Sequence, residues 1–231
     1  MFNRMVWAIF ISINVVSLAY AEPLQFKQVS FKQNYANSIV EGQYPEFFGT
    51  NVPINELKRV NFKVKQYARS LFKKFLSYDD TGKAVKNDLV SFKKMSTYSI
   101  KFKVARADIK YVSMVFETYI YNDEMVHPVW GIYGFNYDLK NAHVIKLSEL
   151  FEKKANYLEQ IADYCNLDLD RRQIKPSYRK IEGSEIDQFS FSREALSIHF
   201  QDFEIADHAE GTPEVKIPLN KLVGLRKDMG L

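Results

Sequence analysis

The chain has one cysteine, Cys165, in 231 residues. No intrachain disulfide can form, so the folded protein has to be stabilised by its hydrophobic core, which is feasible at this length. Cys165 shares a predicted helix face with Ile161 and Tyr164. We therefore expect a buried small hydrophobic side chain, with a reactive nucleophile or an intermolecular disulfide as the alternatives.

Histidine is also scarce: the chain has only His127, His143, His199 and His208. None follows another at the spacing of a local metal motif, so we predict no metal site and no cofactor, although a site built from distant residues would leave no such signature. No serine lies in a G-x-S-x-G turn, and no glycine-rich loop could bind phosphate. The motifs give no support to catalysis, and we expect a structural role for the strand-like His199.

A strong excess of one charge is absent as well, with 32 Lys and Arg against 28 Asp and Glu. A nucleic-acid-binding protein needs a dense basic patch, so we expect no nucleic-acid partner. The basic residues of the N-terminal third fall in one predicted helix and are typical of a solvated face. They are Lys58, Arg59, Lys63, Lys65, Arg69, Lys73 and Lys74.

The chain has a single long apolar run, at residues 5–18. This run is shorter than the ~20 residues of a transmembrane helix. It follows the positively charged Arg4 and precedes Ala19-Tyr20-Ala21. These features predict a signal peptide over residues 1–21 with cleavage after Ala21, and an uncleaved anchor is the alternative. The mature protein is expected to be periplasmic or extracellular, without a membrane span after cleavage.

The remaining pattern alternates between strand and helix periodicities. Strands are predicted within residues 26–40, ending at a turn over residues 41–45, within 97–121 around Asp108, and within 129–139. A helix begins at Ile54, and a second one opens at Ser148 as N-cap. Three short strands follow. This order predicts an α+β fold with a largely antiparallel sheet and two main helices, divided into subdomains at 22–95 and 96–231.

Candidate ligand-binding residues lie along the strand after His127. Trp130, Tyr133 and Tyr137, with Phe135, could stack on sugar rings or contact a protein partner, although strand aromatics usually pack within a sheet. Acidic residues around Glu204 and Asp207, or around Asp163, Asp168 and Asp170, could form a patch that contacts a basic cleft. We select His127, Trp130, Tyr133, Tyr137, Glu204 and Asp207 as ligand-binding candidates.

Several motifs occur in the order found in one bacterial family. They are His127-Pro128, Asn136-Tyr137-Asp138-Leu139, Lys146-Leu147-Ser148-Glu149-Leu150-Phe151, residues 189–200, Phe203-Glu204-Ile205-Ala206, Gly211 and Val215-Lys216-Ile217-Pro218-Leu219. Together they resemble the extracytoplasmic domain of RsiV-type anti-sigma factors. The helix after Tyr44-Pro45 is similar to the small N-terminal domain that also occurs in PdaC-type peptidoglycan deacetylases. The family often has Gly-Ala before the histidine, where this chain has Met125-Val126.

The resemblance implies an extracytoplasmic α+β binding module without catalytic residues to carry over. RsiV-type members recognise lysozyme, so we expect a non-catalytic cell-envelope protein that binds lysozyme or peptidoglycan fragments. One alternative is a carbohydrate-active enzyme of the envelope with an unidentified carboxylate pair. Another is a structural assembly partner with a large exposed apolar patch. The oligomeric state is not predicted.

Overall fold

The computed structural model describes residues 24–35, 38–76, 96–123, 125–174, 180–202, 204–205 and 211–230. The predicted signal peptide and its cleavage site, together with Asp207, lie outside these ranges, so the export prediction stays a prediction. Within the described ranges, no helix is both long and apolar enough to cross a membrane.

The fold contains a large sheet, a small sheet and two main helices. The large sheet has six strands in sequence order: β1 (Gln25–Tyr35), β2 (Ser38–Phe48), β3 (Ser96–Ala107), β4 (Tyr111–Asn122), β5 (Val129–Asp138) and β6 (His143–Val144). The small sheet has the order β7 (Gln188–Phe191), β8 (Ala195–His199) and β9 (Glu214–Pro218). The helices are α1 (Ile54–Leu76) and α2 (Tyr157–Arg171). The predicted α+β class is confirmed.

Among the strands that the structure describes, β2 and β3 are the one parallel pair of neighbours. Parallel neighbours need a long crossover connection, and α1 lies in the chain between these two strands. The helix begins at Ile54, as predicted, because apolar residues recur there at spacings of three and four. Its buried side chains, Leu57, Val60, Val64, Ala68 and Leu71, form one core with the sheet.

The opposite face of the large sheet packs against the small sheet, and the small sheet and α2 form a second core. β4 is covered on both faces, as its two apolar sets of residues predicted. Met114 and Phe116 belong to the core beneath α1, whereas Tyr111 belongs to the second core. Cys165 on α2 is fully buried, and burial raises the pKa of its thiol to about 12. This confirms the interpretation of Cys165 as a small hydrophobic side chain.

The turn predicted at residues 41–45 was wrong, because these residues lie inside β2. β2 pairs with β3 only as far as Gly42, so Pro45 lies where its missing N–H breaks no bond to β3. Beyond Gly42, a side chain of α1 replaces β3 as the hydrogen-bond partner of β2. The side-chain amide of Asn61 accepts from the Phe47 N–H at 2.8 Å and donates to the Phe47 carbonyl at 2.8 Å.

The helix predicted to open at Ser148 was also wrong, because the apolar stripe is divided between two helices. A short 3-10 helix spans Leu147–Leu150, and α2 begins only at Tyr157. Lys146 rather than Ser148 caps the short helix, where its N–H donates to the Glu149 carboxylate at 2.7 Å. Between the helices, Phe151 forms a β-bridge with Leu225, a residue near the C-terminus.

A buried polar network joins the two sheets. The Ser113 hydroxyl donates to the Asn136 side-chain carbonyl at 2.6 Å, and the Asn136 amide donates to the Phe189 carbonyl at 2.9 Å. The same hydroxyl accepts from the Phe191 N–H at 2.7 Å. β4, β5 and β7 are therefore connected through two side chains that are 0% and 3% exposed.

We expect Asn136→Ala to lower the free energy of unfolding by about 2 to 4 kcal/mol, since it leaves buried groups of Ser113 and Phe189 without partners. Urea denaturation followed by circular dichroism measures this loss. Gln66→Ala removes an exposed amide from α1 and is expected to change stability by less than about 0.5 kcal/mol. Equal losses in the two variants would contradict a role for the network.

Candidate functional site

Side chains, rather than another strand, complete the hydrogen bonding along most of β5. β6 pairs only with Tyr137 and Asp138 of this strand. Further along, the Gly134 N–H donates to the Gln188 side-chain carbonyl at 2.8 Å. Ile132 bonds with the amide of Gln201 through both its N–H, at 2.9 Å, and its carbonyl, at 2.6 Å. Unpaired strand edges are templates for association, so this arrangement protects the sheet.

Gly134 lies on β5 between α1, which covers the first core, and β7, which belongs to the second core. The Tyr67 hydroxyl of α1 donates to the Gly134 carbonyl at 3.0 Å. On the other side, a Cβ atom at Gly134 would lie 2.3 Å from the Phe189 backbone oxygen, a distance that no side chain tolerates. Only glycine permits this approach of β7. α1 and the small sheet are thereby held on opposite sides of the same strand edge.

Two open cavities lie along this edge. The inner cavity has a volume of about 500 Å³, and its lining includes Asn136, Lys146, Tyr157, Ser184 and Asp187. The outer cavity has a volume of about 540 Å³ and is lined mainly by α1. Both cavities are lined by Tyr67 and Val144, so they adjoin each other. We call this continuous depression the edge groove.

The α1 wall of the edge groove is cationic. Lys63, Arg69 and Lys73 line the outer cavity, and all three are exposed. In the part of the chain that the structure describes, none of them forms an ion pair. Their positive charge is therefore available to a ligand.

The inner cavity has a different polarity. Asp187, which immediately precedes β7, is the carboxylate among its lining residues. Burial raises the pKa of Tyr67 to about 12, and the nearby Tyr133 and Asp187 contribute to this shift. Tyr67 therefore stays a neutral hydrogen-bond donor over the physiological range. The groove combines cations, a carboxylate and two tyrosine rings, Tyr67 and Tyr157.

The aromatic candidates from the sequence do not share one surface. Trp130 is 42% exposed and packs edge-to-face on Tyr119 at 4.8 Å, and His127, before the same strand, is exposed as well. Tyr133 is partly buried and packs against the core beneath α1, on the other face of β5. Tyr137 is 1% exposed and stacks on Phe135, so it is a core residue and cannot contact a ligand at the surface.

The acidic candidates are separated in a similar way. Glu204 is exposed, and its carboxylate accepts from the Gln201 N–H at 2.6 Å. Partial desolvation of its carboxyl group and the nearby Asp187 and Glu185 raise the pKa of Glu204, although the hydrogen bond from Gln201 opposes this shift. In the other predicted acidic patch, Asp168 is largely buried and pairs with Arg171 and Arg172 of the same helix region.

The edge groove itself was not predicted from the sequence. We interpreted the lysines and arginines of α1 as a solvated face, and Asp187 was not selected. One signal was present, because Lys63, Gln66, Ser70 and Lys73 follow one another at spacings of three, four and three and so share a helix face. The described residues contain no group of three His, Cys, Asp or Glu side chains that could hold a metal ion.

Comparison with known proteins places part of the chain in context. Residues 148–220 match the family described as protein of unknown function DUF3298. This DUF3298 match covers α2, the small sheet and the Asp187 side of the edge groove, whereas α1 lies outside it. None of the curated proteins matches the chain.

Two crystal structures of DUF3298 family proteins share the fold. The protein from Pseudomonas aeruginosa PAO1 has a TM-score of 0.66 at 14% identity, over 89% of this chain and 95% of that chain. The protein from Bacteroides fragilis NCTC 9343 has a TM-score of 0.56 at 16% identity, over 88% of this chain and 94% of that chain. The architecture therefore recurs over almost the whole length, while the resemblance to RsiV-type and PdaC-type proteins stays a prediction.

His199 illustrates a buried titratable group outside the groove. It lies on β8, is 5% exposed and has its Nε2 atom 2.9 Å from the Ser190 hydroxyl. Its Nδ1 atom is buried without a hydrogen-bond partner in the described structure. Burial lowers the pKa of His199, although the nearby Glu214 and Glu117 oppose this effect. The folded protein therefore holds this imidazole neutral.

Acid is expected to destabilise the fold through His199. The unfolded chain takes up a proton at this residue below about pH 6.5, whereas the folded chain takes it up only at a lower pH, so stability falls as the pH decreases from there toward the lowered pKa. Urea midpoints at pH 7.5 and 5.5 measure the effect. His199→Gln should reduce the difference between the two midpoints, whereas His143→Gln, at an exposed position, should not. An unchanged difference in His199→Gln would contradict the assignment.

Proposed function

We propose that this chain is a non-catalytic binding protein of the cell envelope and that its ligand is a peptidoglycan fragment. The observation that carries the proposal is the edge groove, whose α1 wall presents Lys63, Arg69 and Lys73 without ion-pair partners among the described residues. Peptidoglycan fragments carry carboxylates on their stem peptides, which complement this wall. Tyr67 and Tyr157 also line the groove, and their hydroxyl groups add polar contacts for such a ligand.

The same charges favour peptidoglycan over lysozyme as the ligand. Lysozymes are mostly basic, and like charges across an interface oppose association. Two acidic residues that could attract a basic partner are Glu204 and Asp187, which are close enough for their charges to interact, and Asp187 is close to Tyr67. A lysozyme covering the whole groove would bring its positive surface against the α1 wall.

The groove gives less support to hydrolysis. Cleavage of a glycosidic bond by the usual mechanisms needs two carboxyl groups about 5 to 10 Å apart, on opposite sides of the scissile bond. Asp187 is the one carboxylate among the described residues that line the two cavities. An envelope enzyme therefore remains the second candidate, and the raised pKa of Glu204 near Asp187 is the observation in its favour.

Calorimetric titration of the protein without residues 1–21 against a soluble disaccharide-tetrapeptide tests the proposal. We expect the double variant Arg69→Glu, Lys73→Glu to raise Kd about tenfold or more, which corresponds to roughly 1.4 kcal/mol. The matched control is Lys58→Glu, Lys65→Glu, which reverses two exposed charges on α1 that do not line the groove. Its Kd should stay within about twofold of the unmodified protein.

A parallel titration with hen-type lysozyme distinguishes between lysozyme and a peptidoglycan fragment as the ligand. The proposal predicts no tight complex with lysozyme and no loss of lysozyme activity. Tight binding of lysozyme, or equal effects of the groove variant and its control on fragment binding, would contradict the peptidoglycan assignment. Release of a shorter product from the fragment would favour the enzyme instead.

A further inference from the structure

The geometry points to a zwitterionic ligand in the edge groove, with its carboxylates on the α1 wall and a free ammonium group beside Asp187. This inference rests on the proposed function and narrows it. Within peptidoglycan it selects the stem peptide that bears a free side-chain amine, rather than the neutral glycan chain. It also fixes the direction in which the ligand lies.

The cationic part of the groove is long enough for an extended group. Lys63 and Lys73 are separated by ten residues on α1. At 1.5 Å per residue this separation corresponds to about 15 Å along the helix. Arg69 lies between them and supplies a guanidinium group, which can bind a carboxylate through two parallel hydrogen bonds. Two carboxylates of one peptide can therefore be accommodated along this wall.

The Asp187 end favours a cation. Asp187 is exposed within the inner cavity and, among the residues that the structure describes, makes no ion pair. Lys146 also lines that cavity, where it is exposed and, among the described residues, makes no ion pair, so the inner cavity holds one cation besides the Asp187 carboxylate. Its charge acts partly on Glu149, whose pKa it helps to lower. The negative potential near Asp187 is reinforced by Glu204, which is close enough for the two charges to interact.

Asp187 is also held in place by its neighbours in sequence. The Gln188 side chain accepts from the Gly134 N–H, and the Phe189 carbonyl accepts from Asn136. These bonds attach the residues after Asp187 to the buried edge of β5. Its carboxylate is therefore presented from a fixed backbone, which lowers the cost of ordering it on binding.

The charged residues lining the outer end are all cations, whereas the inner end carries the Asp187 carboxylate, and the two ends adjoin at Tyr67 and Val144. A ligand with only negative charge is repelled at Asp187, and a ligand with only positive charge is repelled at α1. A neutral oligosaccharide gains no electrostatic attraction at either end. Only a ligand with both charges, in the matching order, is stabilised along the whole groove.

A chemical double-mutant cycle tests this arrangement. The disaccharide-tetrapeptide is prepared with its side-chain amine free and with that amine acetylated, and both forms are titrated against the protein without residues 1–21. Acetylation should raise Kd about tenfold for the unmodified protein. For Asp187→Asn it should raise Kd less than about twofold, because the carboxylate that pairs with the ligand amine is already absent. Arg69→Gln should weaken the binding of both ligand forms equally, so that the tenfold ratio between their Kd values is kept.

Asp163→Asn is the matched control, since it removes an exposed carboxylate from α2 that does not line the groove, and it should keep the full ratio. Thermal unfolding verifies that each variant is folded. An acetylation effect that persists undiminished in Asp187→Asn would overturn the inference, while the proposed function would stand if the fragment still bound. Binding of neither form would overturn both.

Discussion

The incomplete pairing of β5 is the constraint on which the rest of the structure depends. Ile132 and Gly134 present backbone groups at an edge that β6 is too short to cover. Unpaired buried backbone groups are costly, so their hydrogen bonds have to be supplied from elsewhere. Gln188 and Gln201 supply them from the C-terminal half, and Tyr67 supplies one from α1. Side chains occupy less space than a strand, and the edge groove lies beside β5 for that reason.

Polar contacts also determine how the two sheets face each other. Apolar packing alone is not directional, whereas the bonds of Asn136 are satisfied in one arrangement. A second contact of this kind joins the β3–β4 turn to the β7–β8 turn, where Asp108 accepts from Arg106 at 2.8 Å and from Arg193 at 3.1 Å. The Arg106 guanidinium lies 4.9 Å from the centre of the Tyr111 ring. The small sheet is thus attached at both ends of β7.

Local periodicity predicted the elements whose burial is regular. The start of α1 at Ile54, the turn at Asp108 and the central position of β4 all follow from residue spacing alone. Errors occurred where distant residues decide the outcome. The β-bridge of Phe151 with Leu225 divides the stripe that predicted a single helix, and no local pattern reports it. Tyr137 failed as a surface candidate because α1 covers that face of β5.

The edge groove could not be predicted from the sequence, because it also depends on distant residues. Lys63 and Asp187 are brought to one surface by the hydrogen bonds along β5. The residues that build the groove differ from those that determine what it accepts. Gly134, Asn136 and Gln188 make structural hydrogen bonds or contacts, whereas Lys63 and Asp187 are exposed and bond to nothing in the described structure. Charges at the two exposed positions can therefore change without loss of the fold.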